Sequence, residues 1–404
     1  MDTTSPSPPL ALAALSLSTL LAALGTSIAN VGLPALSAHF TAPYARIQWI
    51  VLAYLLASTA AAVVAGRLGD RYGRRRMLLG GIALFGAASL ACGLAPSLPW
   101  LVAARGVQGI GAAAMLALTL PFVADTLSEG RSGRAIGLLG TVSAAGTALG
   151  PVLGGALLAG FGWRALFLAL ALLGVPALVL AWRSLPAGRS RAAGRGEAMA
   201  TPWGPLLANG AMTAVVMATL VIGPFHLSRT LGLDSAAVGL AMACGPLAAA
   251  LAGVPGGRAV DRHGAGPVAR AGLACAAAGA ALLALLPAAA GIAGYVVPLA
   301  ALSTGYALFQ AANSSAAMAA CEARQRGAVS GLLALSRNLG LIAGASGMGM
   351  LFAAAGMRTA FLAALLLVAL ASLAWRFSGM RDARRAASGD GCRAARSGRG
   401  RGRP

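Results

Sequence analysis

Apolar residues run along this chain in blocks of about twenty or more, broken by short polar stretches, with no alternation of the kind that marks a half-buried strand. A helix needs about 20 mostly apolar residues to cross the hydrocarbon core of a bilayer. Twelve segments meet that requirement: 10–36, 47–66, 77–95, 99–123, 135–159, 163–183, 203–227, 237–256, 267–289, 292–318, 328–353 and 357–377. The pattern predicts an all-α polytopic membrane protein of two six-helix, pseudo-symmetric bundles, 1–183 and 203–378, joined by a polar, Arg-rich linker at 184–202. The tail 379–404, which holds "RDARRAASGDGCRAARSGRGRGRP", is charged and Gly/Ser-rich and is expected to be disordered. The opening run "PPLALAALSLSTLLAALGTSIANVGLP" lacks a basic n-region and is too long for a signal peptide, so it reads as an uncleaved first helix.

Composition agrees with the pattern. The 404 residues are 58% hydrophobic and 10% charged, whereas soluble domains are about a quarter charged. All 31 basic residues are Arg, so no phosphate loop with its lysine is present and coupling to ATP by this chain is not expected. Five scattered cysteines, Cys92, Cys244, Cys275, Cys321 and Cys392, have neither CxxC nor His spacing, and no metal site or cofactor is expected. The arginines divide unevenly between the two sides of the predicted bundle. One side carries 25, the other has Arg46, Arg164, Arg229 and Arg358, and Arg105 and Arg337 fall inside helices. Positive charge stays in the cytoplasm, which places both termini there, in a multi-pass protein of a bacterial inner membrane.

A repeat sharpens the architecture. "GRLGDRYG" at 66–73 returns as "GRAVDRHG" at 257–264, each between the second and third helix of its half. Parallel repeats about an axis along the membrane normal place the substrate path at their interface. With this loop the chain resembles a major facilitator superfamily transporter over nearly all its length. Gly66, Asp70, Arg71, Gly73 and Arg74, followed by Arg75, match the superfamily's motif between helices two and three. A partial copy stands at Gly257, Asp261, Arg262 and Gly264. The resemblance implies a cytoplasmic latch whose Asp lies near the start of the eleventh helix, where a carboxylate suits the positive helix terminus. The alternative is a plain positive-inside anchor. In the fourth helix, "RGVQGIGAAA" (Arg105, Gln108, Gly109) resembles the motif whose Arg is implicated in proton coupling. Arg105 lies about two turns from the helix end, so a snorkelling side chain is the competing reading. In the fifth helix Gly137, Gly146, Gly150, Pro151, Gly154 and Gly155 fit G-x8-G-x3-G-P-x2-G-G. That pattern resembles the drug-antiporter motif, which implies a seal between the halves; its small stripe by itself permits close helix packing.

The stretches "LGTSIANVGLP", "IQWIVLAYLLASTAAAVVAGRLGDRYGRRR" and "GWRALFL" resemble the EmrB/QacA-type drug–proton antiporters, with twelve rather than that branch's fourteen helices. One position departs from it: where the branch carries an Asp after the residue matching Leu24, this chain has Gly25. None of the ten acids lies in mid-membrane. The proton-coupling candidates are therefore His226, Asp234 and Arg105. Polar groups inside spans tend to face a cavity, which selects Asn30, Gln48, Tyr54, Gln310, Asn313, Arg337 and Asn338 as substrate contacts, with Trp49 either lining the path or marking the membrane interface. The expected function is secondary transport by alternating access: export of small amphipathic drugs or toxic compounds coupled to proton influx, by a monomer. A metabolite exporter or uniporter of the same fold, without proton coupling, remains open. The RG-rich tail raises RNA binding, but a disordered positive-inside tail accounts for it and no nucleic-acid partner is expected. No HExxH, paired carboxylates or Ser/His/Asp set points to an enzyme.

Overall fold

The computed structural model describes residues 8–126, 129–185, 203–285, 290–319 and 326–398, and among them there is no strand. In lipid every backbone polar group must be satisfied within the chain, which leaves helices as the way to build these apolar runs. The first half has α1 (Pro8–His39), a single turn at Tyr44–Ile47, α2 (Trp49–Tyr72), α3 (Arg74–Gly93), α4 (Leu98–Thr126), α5 (Glu129–Phe161) and α6 (Trp163–Ser184). The second has α7 (Trp203–Arg229), α8 (Ser235–His263), α9 (Ala265–Leu285) and α10 (Ala293–Ala319). The last two helices start with Arg326–Ala343, pass through a π turn at Gly344–Met348 and continue as Gly349–Gly398. Gly356 (φ 80°, ψ −179°) interrupts that final run, so α11 covers 326–355 and α12 covers 357–398. Ten helical stretches among the described residues are long and apolar enough to cross a membrane, one of them (Gly331–Arg376) spanning both α11 and α12. In α5 the apolar part is the shorter Ala145–Phe161. The protein is a multi-pass membrane protein with this all-helical architecture. Most of the linker, 186–202, lies outside the described residues. Over its described part, to Gly398, the tail expected to be disordered is helical. Ala and Arg are strong helix formers, and an existing helix extends without a new nucleation cost.

The repeat has a geometric signature. Gly73 (φ 94°) and Gly264 (φ 80°) hold the sharp turns after α2 and α8, and Gly162 (φ 76°) and Gly356 (φ 80°) those after α5 and α11. A side chain at φ near +80° is strained, so the last Gly of each loop motif is required by its turn. Packing repeats as well. In the first half α1 packs on α5 and α6, α2 on α4, and α3 on α4 and α6. In the second α7 packs on the α11 and α12 segments, α8 on α10, and α9 on α10 and the last segment. Across the halves α5 lies along α8, with smaller contacts between α1 and α7 and between α2 and α11.

Candidate functional site

The two halves meet at the arginine-poor end. Gly155 and Gly239 bring α5 and α8 together backbone to backbone: a Cβ on Gly155 would stand 2.8 Å from Gly239 Cα, and one on Gly239 2.6 Å from the Pro151 carbonyl. The other face of α5 seats Gly146, Gly150 and Gly154 against Ala23, Ser27 and Ile28 of α1. The backbone of Gly137 is in α5, but its surroundings are outside what is described. Beside this seam the Tyr44 hydroxyl donates to the Ala345 carbonyl (3.3 Å), inside the π turn that disturbs the regular ladder of α11. The Tyr44 ring meets Phe225 and Phe352 edge-on, at 5.5 and 6.3 Å. Arg229 Nη2 donates to Ser37 Oγ at 3.4 Å, tying α7 to α1. A small pocket of about 30 Å³ lies among α1, α5, α7 and α8 at this end.

The arginine-rich end is different. Cβ atoms built on Gly66, Gly73, Gly257 and Gly264 would meet nothing within 4 Å. Arg71, Asp261 and Arg262 are exposed; the Arg71 guanidinium lies 5.5 Å from the Tyr72 ring. Arg74 and Arg75 are half-buried, and Arg75 Nη2 reaches the Trp182 carbonyl at 2.5 Å, a contact inside the first half. Asp70 lies in the last turn of α2, and its side chain is outside the described set. Among the described residues, no hydrogen bond crosses between the halves here. The halves thus touch backbone to backbone at the arginine-poor end, and among the described glycines of the arginine-rich end none approaches the other half.

Arg105 is fully buried and does not snorkel. Its Nε donates to Ile50 O (2.9 Å), and Nη1 donates to Gly25 O (3.0 Å) and to Gln108 Oε1. Gln108 Nε2 passes on to Ser89 Oγ (2.6 Å). The guanidinium lies 4.2 Å from the Tyr54 ring centroid, and Tyr54 Oη donates to Ala22 O (3.0 Å). Gly109 allows the close approach of α4 to the Tyr54 backbone. Hydrogen bonds to charged groups contribute about 1.5–3 kcal/mol each, which offsets burial of the charge, but Nη2 has no partner among the described residues. Gly25 thus supplies a carbonyl where the resembling branch supplies a carboxylate. A Cβ there would lie 2.9 Å from Phe85 Cζ and 3.2 Å from Tyr54 Oη; Phe85 fills the space an acid needs.

The second half solves the same position with a different residue. Tyr295 of α10 is buried, and its hydroxyl donates to Thr219 O of α7 (3.1 Å) and stands 3.8 Å from Met242 Sδ of α8. The reading of the sequence missed Tyr295. The repeat offset applied to Arg105 lands one residue away and would have found it.

The other candidates separate by exposure. Asn30 and Gln48 are buried, donating to Thr26 O and Ala45 O at 3.3 Å each, with Oδ1 and Oε1 unpartnered among the described residues. Asn313 is buried, donates to Pro205 O (3.1 Å) and accepts from Trp375 Nε1 (3.2 Å), joining α10, α7 and α12. Trp49 is 47% exposed. Gln310 and Asn338 are half-buried and Arg337 is exposed. His226 is half-buried, its ring 5.9 Å from that of Tyr295. Asp234 is exposed and caps α8, accepting from Ala237 N at 2.7 Å.

The position of Arg337 follows from its helix. Ser336, Gly340 and Gly344 form the ridge of α11 seated on α7, where Ser336 Oγ donates to Leu206 O (2.5 Å). Leu332, Leu335, Leu339 and Ala343 turn to one flank, an almost wholly apolar groove of about 1010 Å³ shared with α7 and α12. None of the predicted cavity residues lines that groove. Ala345 is on the opposite flank, facing Tyr44 of the first half. At 100° per residue, Arg337 stands on the arc between the α7 ridge and Ala345, the flank that faces the cleft.

The family model described as Major Facilitator Superfamily matches residues 15–223 and again 206–391. The chain is 42% identical over 145 residues to the multidrug resistance protein Stp of Mycobacterium tuberculosis, covering 36% of this chain and 27% of that protein. It is 35% identical over 163 residues to the riboflavin transporter RibZ of Clostridioides difficile, covering 40% and 36%. These matches span about a quarter to a third of the relatives' length. A bacterial homolog of the human lysosomal transporter Spinster, solved in an inward-facing and occupied conformation, shares the fold at TM-score 0.77 and 19% identity, over 91% of this chain and 96% of that one.

Proposed function

The chain belongs to the Major Facilitator Superfamily, a transporter and not an enzyme, and we propose that it exports small amphipathic compounds from the cytoplasm by alternating access. The observation that carries this reading is the asymmetry between the two ends: backbone contact of Gly155 with Gly239 across the halves at the arginine-poor end, and at the other the loop glycines Gly66, Gly73, Gly257 and Gly264, around whose Cβ positions nothing lies within 4 Å. With the arginine-rich end in the cytoplasm of a bacterial inner membrane, the cleft takes up its small-molecule substrate from inside. Rocking of bundle 1–183 against 203–378 then closes the loops Gly66–Gly73 and Gly257–Gly264 and parts α5 from α8. A single chain holds both halves, so the working unit is a monomer. The relative named multidrug resistance protein and the α5 pattern support drug export with proton influx as the driving force, through His226, Asp234 or Arg105.

A second reading, a metabolite exporter or uniporter without proton coupling, is supported by Gly25: Arg105 is bound to a backbone carbonyl there and not to a titratable acid. The relative named riboflavin transporter fits this reading. Transport into inverted membrane vesicles, with and without an imposed pH gradient, separates the two. Uptake that collapses with the gradient supports antiport, and uptake indifferent to it supports the second reading. Absence of uptake for dyes, drugs and metabolites alike would remove export itself.

A further inference from the structure

The apolar segments carry charge of one sign. Asp70, Asp125, Glu129, Asp234 and Asp261 stand at helix ends, and the other five acids lie outside the twelve apolar segments. Away from the ends of those segments the basic groups are Arg105 and Arg337, whereas Arg164, Arg183, His226, Arg270, Arg358 and Arg376 stand within four residues of a segment end. Arg105 is sealed in the first half with no carboxylate partner among the described residues. Arg337 is exposed on the cleft-facing flank of α11 and makes no hydrogen bond among the described residues. Charges in such surroundings are poorly screened. An organic cation entering the cleft would meet the like charge of Arg337 and, among the described residues within the spans, no counter-charge. A carboxylate or sulfonate would meet a planar guanidinium whose paired N–H donors match its oxygens.

We propose that the exported substrate is an amphipathic organic anion whose carboxylate or sulfonate is bound by Arg337. This rests on the export reading above and adds the substrate's charge to it. It also accounts for Gly25: an anion leaving a cell needs no proton carried in exchange, because an inside-negative potential of about 100 mV favours its outward distribution about fiftyfold.

The test uses the purified full-length protein in liposomes, with a potential imposed by a potassium gradient and valinomycin. One panel holds the anions taurocholate, benzylpenicillin and 1-anilinonaphthalene-8-sulfonate, the other the cations ethidium, rhodamine 6G and tetraphenylphosphonium. At least one anion is expected to be carried along the potential, and no cation at a comparable rate. Arg337→Gln should lower anion transport about tenfold or more, while Arg337→Lys, which keeps the charge but loses the paired donors of the guanidinium, should fall between Arg337→Gln and the parent. Unchanged thermal midpoints of both variants would show that they fold. Carriage of cations at a comparable rate, or anion carriage unchanged by Arg337→Gln, overturns the anion proposal and leaves export standing. If neither panel moves, the proposal and the export reading fall together.

Discussion

Arg105 shows how one residue's surroundings decide what its neighbours can be. Its guanidinium uses the carbonyls of Gly25 and Ile50 and the Gln108 amide, and Phe85 stands where a side chain on Gly25 would go. Gly25→Ala should therefore overpack this corner and cost about 1–3 kcal/mol, read as a lower thermal midpoint in detergent and relieved by Phe85→Leu. Asp70→Asn belongs to the same scale. If the loop acts as a latch, the variant transports poorly while inserting at the parent level, and equal loss of both would reduce the loop to an anchor. The sequence already singled out Arg105 and Gly25, because a charge or a missing charge in an apolar run is visible in one dimension. It did not reveal that they touch, since that contact joins residues 80 apart. Nor did it reveal Tyr295, because a tyrosine in an apolar run carries no such contrast.

At the scale of elements, helices were legible and their partners were not. Runs of about twenty apolar residues leave the chain one way to satisfy its backbone in lipid, so each predicted span corresponds to a helix. The tail differs because local propensity outweighed polarity there. The stripe on α5 indicated close packing, but α5 has two close faces: Gly146, Gly150 and Gly154 meet α1 within the same half, and Gly155 meets Gly239 across the halves. Nothing in the sequence around Gly239 marks it as the partner. Gly239→Val should force α8 from α5 and bias the cleft toward opening at the arginine-poor end. A cysteine introduced at Ser228 would then react faster with an impermeant thiol reagent applied to that side, with transport reduced. Unchanged labelling would mean that this contact does not hold the closed state.

For the molecule as a whole, the halves are near copies in turns and packing but not in charge. Arg105 and Tyr295 occupy corresponding places, and Arg337 has its cleft-facing counterpart in the first half at an uncharged position. Deleting residues 381–404, which lie past the last apolar segment, should leave transport and insertion unchanged; loss of either would give the tail a role that packing does not suggest. The seam between α5 and α8 has a further consequence. Main chain resting on main chain is held by dispersion, which fades within about an ångström of separation, and among the described residues the seam contains no ion pair for salt to weaken. Its opening is then governed by mechanics, through the thickness and lateral compression of the surrounding bilayer. Turnover in reconstituted vesicles should change with the acyl-chain length of the lipid and stay nearly flat as ionic strength rises from about 0.01 to 1 M, a range over which screening of exposed charges changes about tenfold in reach.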